Sequence, residues 1–196
     1  YAWESDAEGN ECCPSFQYAD HEVHVTADVV YGLNHYASAV DEDYLNGPAA
    51  EVVVETARYW MERVDRRKGD ELYSLLGVMG PDEYTPICSN NAFTNVMVAR
   101  SLGLAADVGA AGGATRSEVK AFDRASGGLS EVRRNSDDLV LQCEEFEQLA
   151  EPDFEKHWKD RTRPFASQVS QERLYRTKCV KQADVLMAYH LVPEEV

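Results

Sequence analysis

The chain has 196 residues, enough for one domain with a sizeable core, and its 44% hydrophobic and 10% aromatic content is typical of a globular protein. Its 35 acidic and 19 basic residues give a formal charge of −16. That balance argues against a general binder of nucleic acids or anionic membranes, since both need a basic surface, and no apolar run approaches the length of a membrane span.

The first residues and the cysteines set further bounds. The chain begins Tyr1-Ala2-Trp3-Glu4, without an initiator methionine or a signal-peptide pattern, so it is expected to be a piece of a longer protein. Its five cysteines are odd in number and scattered, and no CxxC occurs, so neither a disulfide framework nor a zinc site is predicted. Reduced thiols and a cytoplasmic location are the expected setting.

The first half of the chain is predicted to be mainly helical. Residues 1–20 are predicted to form a loop, and apolar residues at helical spacing predict an amphipathic helix from His21 to Val40. Asp41 is placed to cap the next helical segment. The clearest apolar stripe, from Ala50 to Val64, predicts a helix that ends before a turn at residues 66–69.

The second half alternates helices with long loops. Five elements are predicted there: a short strand or extended loop at 72–79, a helix from Ala92 to Asp107 capped by Asn90 or Asn91, a short helix around Ser117 to Ala125, a short strand from Asp138 to Gln142, and a last helix from Lys178 to His190. No βαβ rhythm appears. The long loops suit a helical scaffold whose loops build a site at one end.

The segment Gly80-Pro81-Asp82-Glu83-Tyr84 places a carboxylate on a tight turn. Pro81 fixes its own φ, and Gly80 allows backbone geometry that residues with a Cβ resist. A carboxylate with a defined direction suits a general acid. The alternative is an ordinary surface turn, since Pro-Asp turns are common.

Two further segments have ligand-binding chemistry. Trp3 beside Glu4 can bind a sugar, with the ring over an apolar face and the carboxylate accepting from hydroxyl groups; the alternative is an exposed acid beside a buried ring. Lys181 and Gln182, at the start of the predicted last helix, can form an anion site. The alternative there is a solvated helix start in which Asp184 pairs with Lys181.

Residues 22–28 carry polar side chains at helical spacing. Glu22 and Thr26 are four residues apart, as are His24 and Asp28, so each pair shares a face of the helix. These side chains can belong to a binding site, or they can be satisfied polar groups at a helix start.

Taken together, these segments resemble glycoside hydrolase family 65. The matching segments are Tyr1 to Ser5, His21 to Asp28, Gly80 to Tyr84 with Asn90 to Asn95, and Lys181 to Met187, in the order and spacing of the family. The likeness is clear from Tyr1 to Met97 and again from Glu172 to Val196.

The resemblance implies an all-α fold that is part of an (α/α)6 barrel with long loops and short strands. Residues 1–196 are then a fragment of a single catalytic domain, incomplete at both ends. Such a cut is expected to leave the piece inactive alone and prone to associate, with the apolar helix face of Val53, Val54, Ala57 and Trp60 exposed if its packing partners are missing.

The resemblance also implies a reaction. The expected enzyme is a glycoside phosphorylase that cleaves an α-linked glucosyl disaccharide with inorganic phosphate, with inversion, to β-glucose 1-phosphate and a released acceptor. The alternatives are a trehalase-like hydrolase of the same family and a non-catalytic carbohydrate-binding helical domain. A phosphorolytic enzyme needs only an acid because phosphate is already a charged nucleophile, whereas an inverting hydrolase also needs a base that activates water.

Roles for individual residues follow from the resemblance. Glu83 is implied to be the general acid. Two binding sets are implied: Trp3, Glu4, His24, Thr26 and Tyr84 for the substrate, and Lys181 and Gln182 for phosphate. Phosphate is a co-substrate, no cofactor or metal ion is expected, and the resemblance leaves room for a homodimer of the full-length protein.

Overall fold

Helices dominate the computed structural model, which describes residues 1–66, 72–129 and 133–193. The described residues form eight α-helices: α1 (Phe16–His21), α2 (His24–Ala39), α3 (Pro48–Arg63), α4 (Ala92–Val108), α5 (Arg116–Leu129), α6 (Phe154–His157), α7 (Gln171–Leu174) and α8 (Asp184–Leu191). Strands β1 (Asp65–Arg66) and β2 (Tyr73–Ser74) pair antiparallel. The all-α prediction is confirmed.

Several helix bounds match the sequence predictions because local signals set them. Helix α3 follows the apolar stripe, and α4 begins directly after Asn91, whose side chain accepts a hydrogen bond from the Thr94 N–H at 3.0 Å. Asp41 accepts from the Asp43 N–H and caps the short 3-10 helix that follows it. The predicted turn at 66–69 lies mostly outside the described residues.

Other bounds were predicted wrongly. The first twenty residues are not all loop, since α1 begins at Phe16, and the helix expected from His21 begins at His24. Helix α5 is longer than predicted because residues at spacings of three and four, Phe122, Ala125 and Leu129, are buried along one face. In place of a strand at 138–142, an isolated bridge joins Arg134 to Val140.

Helix α4 lies at the centre of the described chain. It packs against α2, α3, α5 and α8, and every residue from Ala92 to Ala99 is buried. A helix with apolar residues all round its surface is stable only when other elements enclose it. The sequence of α4 therefore places it inside the core, with the other long helices around it.

The apolar face of α3 has its packing partners within the described residues. Val53, Val54, Ala57 and Trp60 are all fully buried, and α3 packs against α4. Exposed apolar side chains occur on several helices, among them Phe16 of α1, Tyr36 of α2 and Leu186 of α8. The predicted tendency to associate remains a prediction.

The starts of α2, α4 and α8 meet around the loop of residues 79–91. The Met79 N–H donates to the His21 carbonyl, just ahead of α2, at 2.8 Å. Asn91, which caps α4, donates through Nδ2 to Asp184, the first residue of α8, at 2.9 Å. Helix starts carry free N–H groups and a partial positive charge, so this end of the scaffold favours acidic groups.

All five cysteines are free thiols, and Cys88, Cys143 and Cys179 are buried. A hydrogen bond with Cys143, together with burial, raises the pKa of Cys88, which keeps this thiol neutral.

Within the described ranges, none of the helices combines the length and the apolar character needed to cross a membrane.

Candidate active site

The loop that carries Glu83 is closed at its base. Val78 and Cys88 exchange two backbone hydrogen bonds of 3.0 and 2.8 Å, so residues 79–87 project as one loop. Asn90, which has a positive φ of 51°, accepts from the Leu75 N–H through Oδ1 at 2.9 Å. This bond ties the segment after the loop to the segment before it. The loop therefore has a fixed base beneath the Glu83 turn.

Glu83 forms an ion pair with Lys181 across the site. Glu83 Oε1 and Lys181 Nζ lie 2.6 Å apart, although 98 residues separate them in the chain. The side chains are partly open to solvent, with 24% of Glu83 and 41% of Lys181 exposed. The predicted acid and the predicted phosphate ligand are therefore neighbours, and Asp184 is not the partner of Lys181.

Asp82 ties the Glu83 turn to the segment that carries Lys181. Its side chain is completely buried. Asp82 Oδ1 accepts from the N–H groups of Lys181 at 2.7 Å, Tyr84 at 3.2 Å and Gln182 at 3.3 Å, and Oδ2 accepts from the Thr85 hydroxyl at 2.7 Å and Gln142 Nε2 at 2.9 Å. Hydrogen bonds from this many donors hold the Asp82 carboxylate in one orientation. These bonds also explain why Lys181 and Gln182 precede α8 instead of lying in it.

Asp184 lies against Gly80, the first residue of the same turn. It is fully buried, and burial raises its pKa to about 7, while the hydrogen bond from Asn91 opposes that rise. Gly80 lies directly against this pair, and an added Cβ there would overlap Asp184 Oδ2 and the Asn91 amide. Only glycine fits so close an approach of backbone to side chains.

Other titratable groups surround Glu83. Burial, together with the charge and hydrogen bonding of Glu83, raises the pKa of Tyr18 to about 12. Burial also raises the pKa of Glu22, where the hydrogen bond and charge of His24 oppose it, and the pKa of Tyr175. Glu83 therefore faces two neutral hydroxyl groups, a buried acid and the Lys181 ammonium group.

His24, in the first turn of α2, lies between two carboxylates. Nδ1 is 2.8 Å from Asp28 Oδ2, as the four-residue spacing predicted, and Nε2 is 3.6 Å from Glu22 Oε2. Burial alone lowers the pKa of His24, but the hydrogen bonds and charges of Asp28 and Glu22 outweigh it and raise the pKa to about 9. The imidazole is therefore a buried cation at neutral pH.

This cation should make stability depend on pH. Because the folded-state pKa of about 9 exceeds the unfolded value of 6.5, the stabilisation is complete below pH 6.5 and is lost as pH rises through 9. We expect the free energy of unfolding in urea to fall by about 3 kcal/mol more in the wild type than in His24→Gln between pH 6 and 10. The exposed His190→Gln variant serves as the control, and a His24→Gln slope equal to that of the wild type would contradict the assignment.

The structure brings together part of the predicted substrate set. The Trp3 ring centroid lies 6.3 Å from the ring centroids of both Tyr18 and His24. Trp3 therefore lies at the edge of the group of residues around Glu83. Tyr84 follows Glu83 and packs on the small apolar cluster of Phe165, Leu174 and Cys179.

Two predicted substrate residues lie further out. Glu4 is exposed beside Trp3, and its N–H donates to Glu11 at 3.2 Å. Thr26 is buried and borders a separate surface hollow of about 410 Å³ that Tyr1, Glu51 and Tyr59 also line. The structure does not bring Thr26 to the Glu83 cluster.

Sequence reasoning missed several residues of the site, namely Tyr18, Asp82, Gln142, Tyr175 and Asp184. Asp82 and Asp184 lie inside the segments that carry the family resemblance, so those segments held a signal for them. Tyr18 and Tyr175 lie within the regions of clear likeness but outside the four matching segments, and Gln142 lies between those regions.

The family comparison covers the whole chain. The model of the glycosyl hydrolase family 65 central catalytic domain matches residues 1–196. Kojibiose phosphorylase of Halothermothrix orenii is 36% identical over 122 residues, which are 55% of this chain and 16% of the relative. The protein-glucosylgalactosylhydroxylysine glucosidase of Gallus gallus is also 36% identical, over 110 residues, with the same coverage of 55% and 16%.

A solved structure supports the fold. A candidate kojibiose phosphorylase from human microbiome superposes with a TM-score of 0.82 at 26% sequence identity, over 96% of this chain and 28% of that one. The chain described here is part of an (α/α)6 barrel with long loops and short strands, as the resemblance predicted. It spans between about a sixth and a third of the length of the relatives it matches.

Proposed function

Since this chain belongs to glycosyl hydrolase family 65, whose central catalytic domain it matches over residues 1–196, we propose that the full-length protein is a disaccharide phosphorylase. It cleaves an α-linked glucosyl disaccharide with inorganic phosphate and inversion, to β-glucose 1-phosphate and a released acceptor. The observation that carries the proposal is the contact between one directed carboxylate, Glu83, and one partly exposed ammonium group, Lys181.

The proposed reaction uses Glu83 as the general acid. Its proton passes to the glycosidic oxygen as the bond from that oxygen to C1 breaks, and a phosphate oxygen attacks C1 from the opposite face. The glycosidic oxygen gains one proton from Glu83, and hydrogen phosphate loses one proton when it bonds to C1. The overall reaction therefore consumes no net proton. Lys181 and the Gln182 amide hold the phosphate, and positioning both reactants in line supplies much of the acceleration.

The proposed sugar pocket places C1 between Glu83 and the phosphate, as attack from the face opposite the acid requires. Trp3 offers an aromatic face for the apolar face of glucose, next to Tyr18 and His24. Glu4 and Tyr84 belong to the proposed substrate set, and Thr26, which lines a separate hollow, is not part of it. No cofactor or metal ion is part of the proposal, and a cytoplasmic location and a homodimer of the full-length protein are parts of it.

A hydrolase is the second candidate, favoured by the 36% identity to the Gallus gallus glucosidase. An inverting hydrolase would need a second carboxylate that activates water. Both candidates assign the acid role to Glu83, and they differ in the nucleophile and in the need for Lys181.

A substrate panel tests the proposal. The full-length protein is incubated with α-linked glucosyl disaccharides of different linkage, with and without inorganic phosphate, and free glucose and glucose 1-phosphate are quantified separately. We expect glucose 1-phosphate and cleavage that depends on phosphate. Equal cleavage without phosphate, with glucose as the only glucosyl product, would establish the hydrolase instead.

A further inference from the structure

Glu83 and Lys181 are in contact. Their proposed roles, as proton donor and as phosphate ligand, require the two side chains to separate. The Glu83 carboxylate lies 2.6 Å from the Lys181 ammonium group, which balances its charge. A general acid must carry a proton before it can donate one. Lys181, in turn, cannot offer its full charge to phosphate while it neutralises Glu83.

We propose that phosphate and Glu83 compete for the Lys181 ammonium group, so that phosphate binding releases Glu83 to take up the proton it later donates. This inference rests on the proposed function and adds to it a means of control: the acid becomes active only when the nucleophile is in place. Hydrolysis of the disaccharide by stray water is then suppressed in the absence of phosphate.

Several titratable groups lie around the Glu83–Lys181 ion pair. The titratable groups that act on Glu83 come from α1, from the α1–α2 junction, from its own turn, from the end of α7 and from the segment before α8: Tyr18, Glu22, Tyr84, Tyr175 and Lys181. Of these five, Lys181 alone is a cation, and Glu22 is a like charge when ionised. When Lys181 turns to phosphate, hydroxyl groups and Glu22 remain around Glu83, with the His24 imidazole next to Glu22.

Lys181 can change partners without disturbing the backbone. Its N–H is bound to the buried Asp82 at 2.7 Å, which fixes the main chain, while its side chain is 41% exposed. A lysine side chain is flexible, so rotation of its stem is sufficient. Phosphate competes well because it carries more charge and more acceptor oxygens than one carboxylate.

The proton cycle closes over one turnover. Glu83 takes up a proton from solvent when phosphate binds at Lys181, and it gives that proton to the glycosidic oxygen as the C1–O bond breaks. Phosphate forms the new bond to C1 and loses its own proton to solvent. When glucose 1-phosphate leaves, the Glu83 carboxylate pairs with Lys181 again.

Calorimetry of phosphate binding tests the competition. Inorganic phosphate is titrated into the full-length protein in two buffers of different ionisation enthalpy, which gives the number of protons taken up, for the wild type, Glu83→Gln and the control Glu172→Gln. Glu172 is an exposed glutamate in an ion pair with Arg176, so it matches Glu83 in charge and pairing. Each protein is also assayed for glucose 1-phosphate formation.

We expect the wild type and Glu172→Gln to take up more protons than Glu83→Gln, by up to one proton per phosphate. Above the pH at which Glu83 ionises, Glu83→Gln should bind phosphate more tightly than the wild type, and the ratio of affinities should grow by about tenfold per pH unit. Lys181→Met should bind phosphate weakly and show no proton uptake that depends on Glu83.

Two outcomes would overturn the inference, and they are distinguishable. Equal proton uptake in the wild type and Glu83→Gln, with glucose 1-phosphate still formed by the wild type, would refute the competition and leave the proposed function intact. Absence of phosphate binding in both proteins, with cleavage that needs no phosphate, would refute the proposed function and the inference together. A circular dichroism spectrum that matches the wild type shows that each variant is folded.

Discussion

Glu83→Gln in the full-length protein is expected to lower the turnover number by about 10²- to 10⁴-fold, the usual contribution of a general acid. Glutamine keeps the shape of the side chain and can still bind near Lys181, but it has no acidic proton for the glycosidic oxygen. The Michaelis constant for the disaccharide should change by less than about fivefold, because the loss concerns the transition state more than the bound substrate. Steady-state kinetics at saturating phosphate measures both quantities.

A substrate with a better leaving group sharpens this test. Fluoride needs little protonation to leave, so Glu83→Gln should lose far less activity on α-glucosyl fluoride than on a disaccharide. The exposed Glu172→Gln variant should behave as the wild type on both substrates. If Glu83→Gln kept near wild-type turnover on the disaccharide, Glu83 would not be the acid.

Asp82→Ala is the second substitution with a large expected effect. It removes the acceptor for three backbone N–H groups, the Thr85 hydroxyl and Gln142, at a position with no solvent access. Leaving buried donors unpaired costs about 1–3 kcal/mol each, so we expect a loss of unfolding free energy of several kcal/mol. The turnover number should fall by at least about tenfold, since the Glu83 turn and the Lys181 segment are no longer fixed to each other.

The Asp82 test separates positioning from simple stability. Asp82→Asn keeps one acceptor oxygen and should recover part of both losses, and Asp160→Ala, which removes an exposed aspartate from a local turn, should change neither. Turnover is measured at a temperature where all variants remain folded by circular dichroism. Normal turnover in folded Asp82→Ala would show that Asp82 does not position the acid.

Short-range features of this molecule could be read from the sequence. The stripe of α3, the Asn91 cap and the His24–Asp28 contact all depend on residues no more than four apart, so a spacing rule is sufficient to find them. The family resemblance also selected Glu83 and Lys181, although their direct contact was not predicted.

The rest of the site depends on contacts that no spacing rule reveals. Asp82 receives Gln142 from 60 residues away and Gln182 from 100 residues away, and nothing in the intervening sequence marks those partners. The start of the last helix was misplaced for the same reason: the Lys181 and Gln182 N–H groups bind Asp82 instead of continuing a helix. Thr26 was grouped with His24 by its position in the motif, but the structure turns it toward a different hollow.

The anomeric form of the first product tests directly whether phosphate cleaves the disaccharide with inversion at C1. The full-length protein is mixed with the best α-linked disaccharide of the panel in phosphate buffer, and proton NMR spectra are recorded within the first turnovers. We expect β-glucose 1-phosphate, with phosphate consumed in equal amount to the acceptor released. Free glucose formed at the same rate with or without phosphate would contradict it.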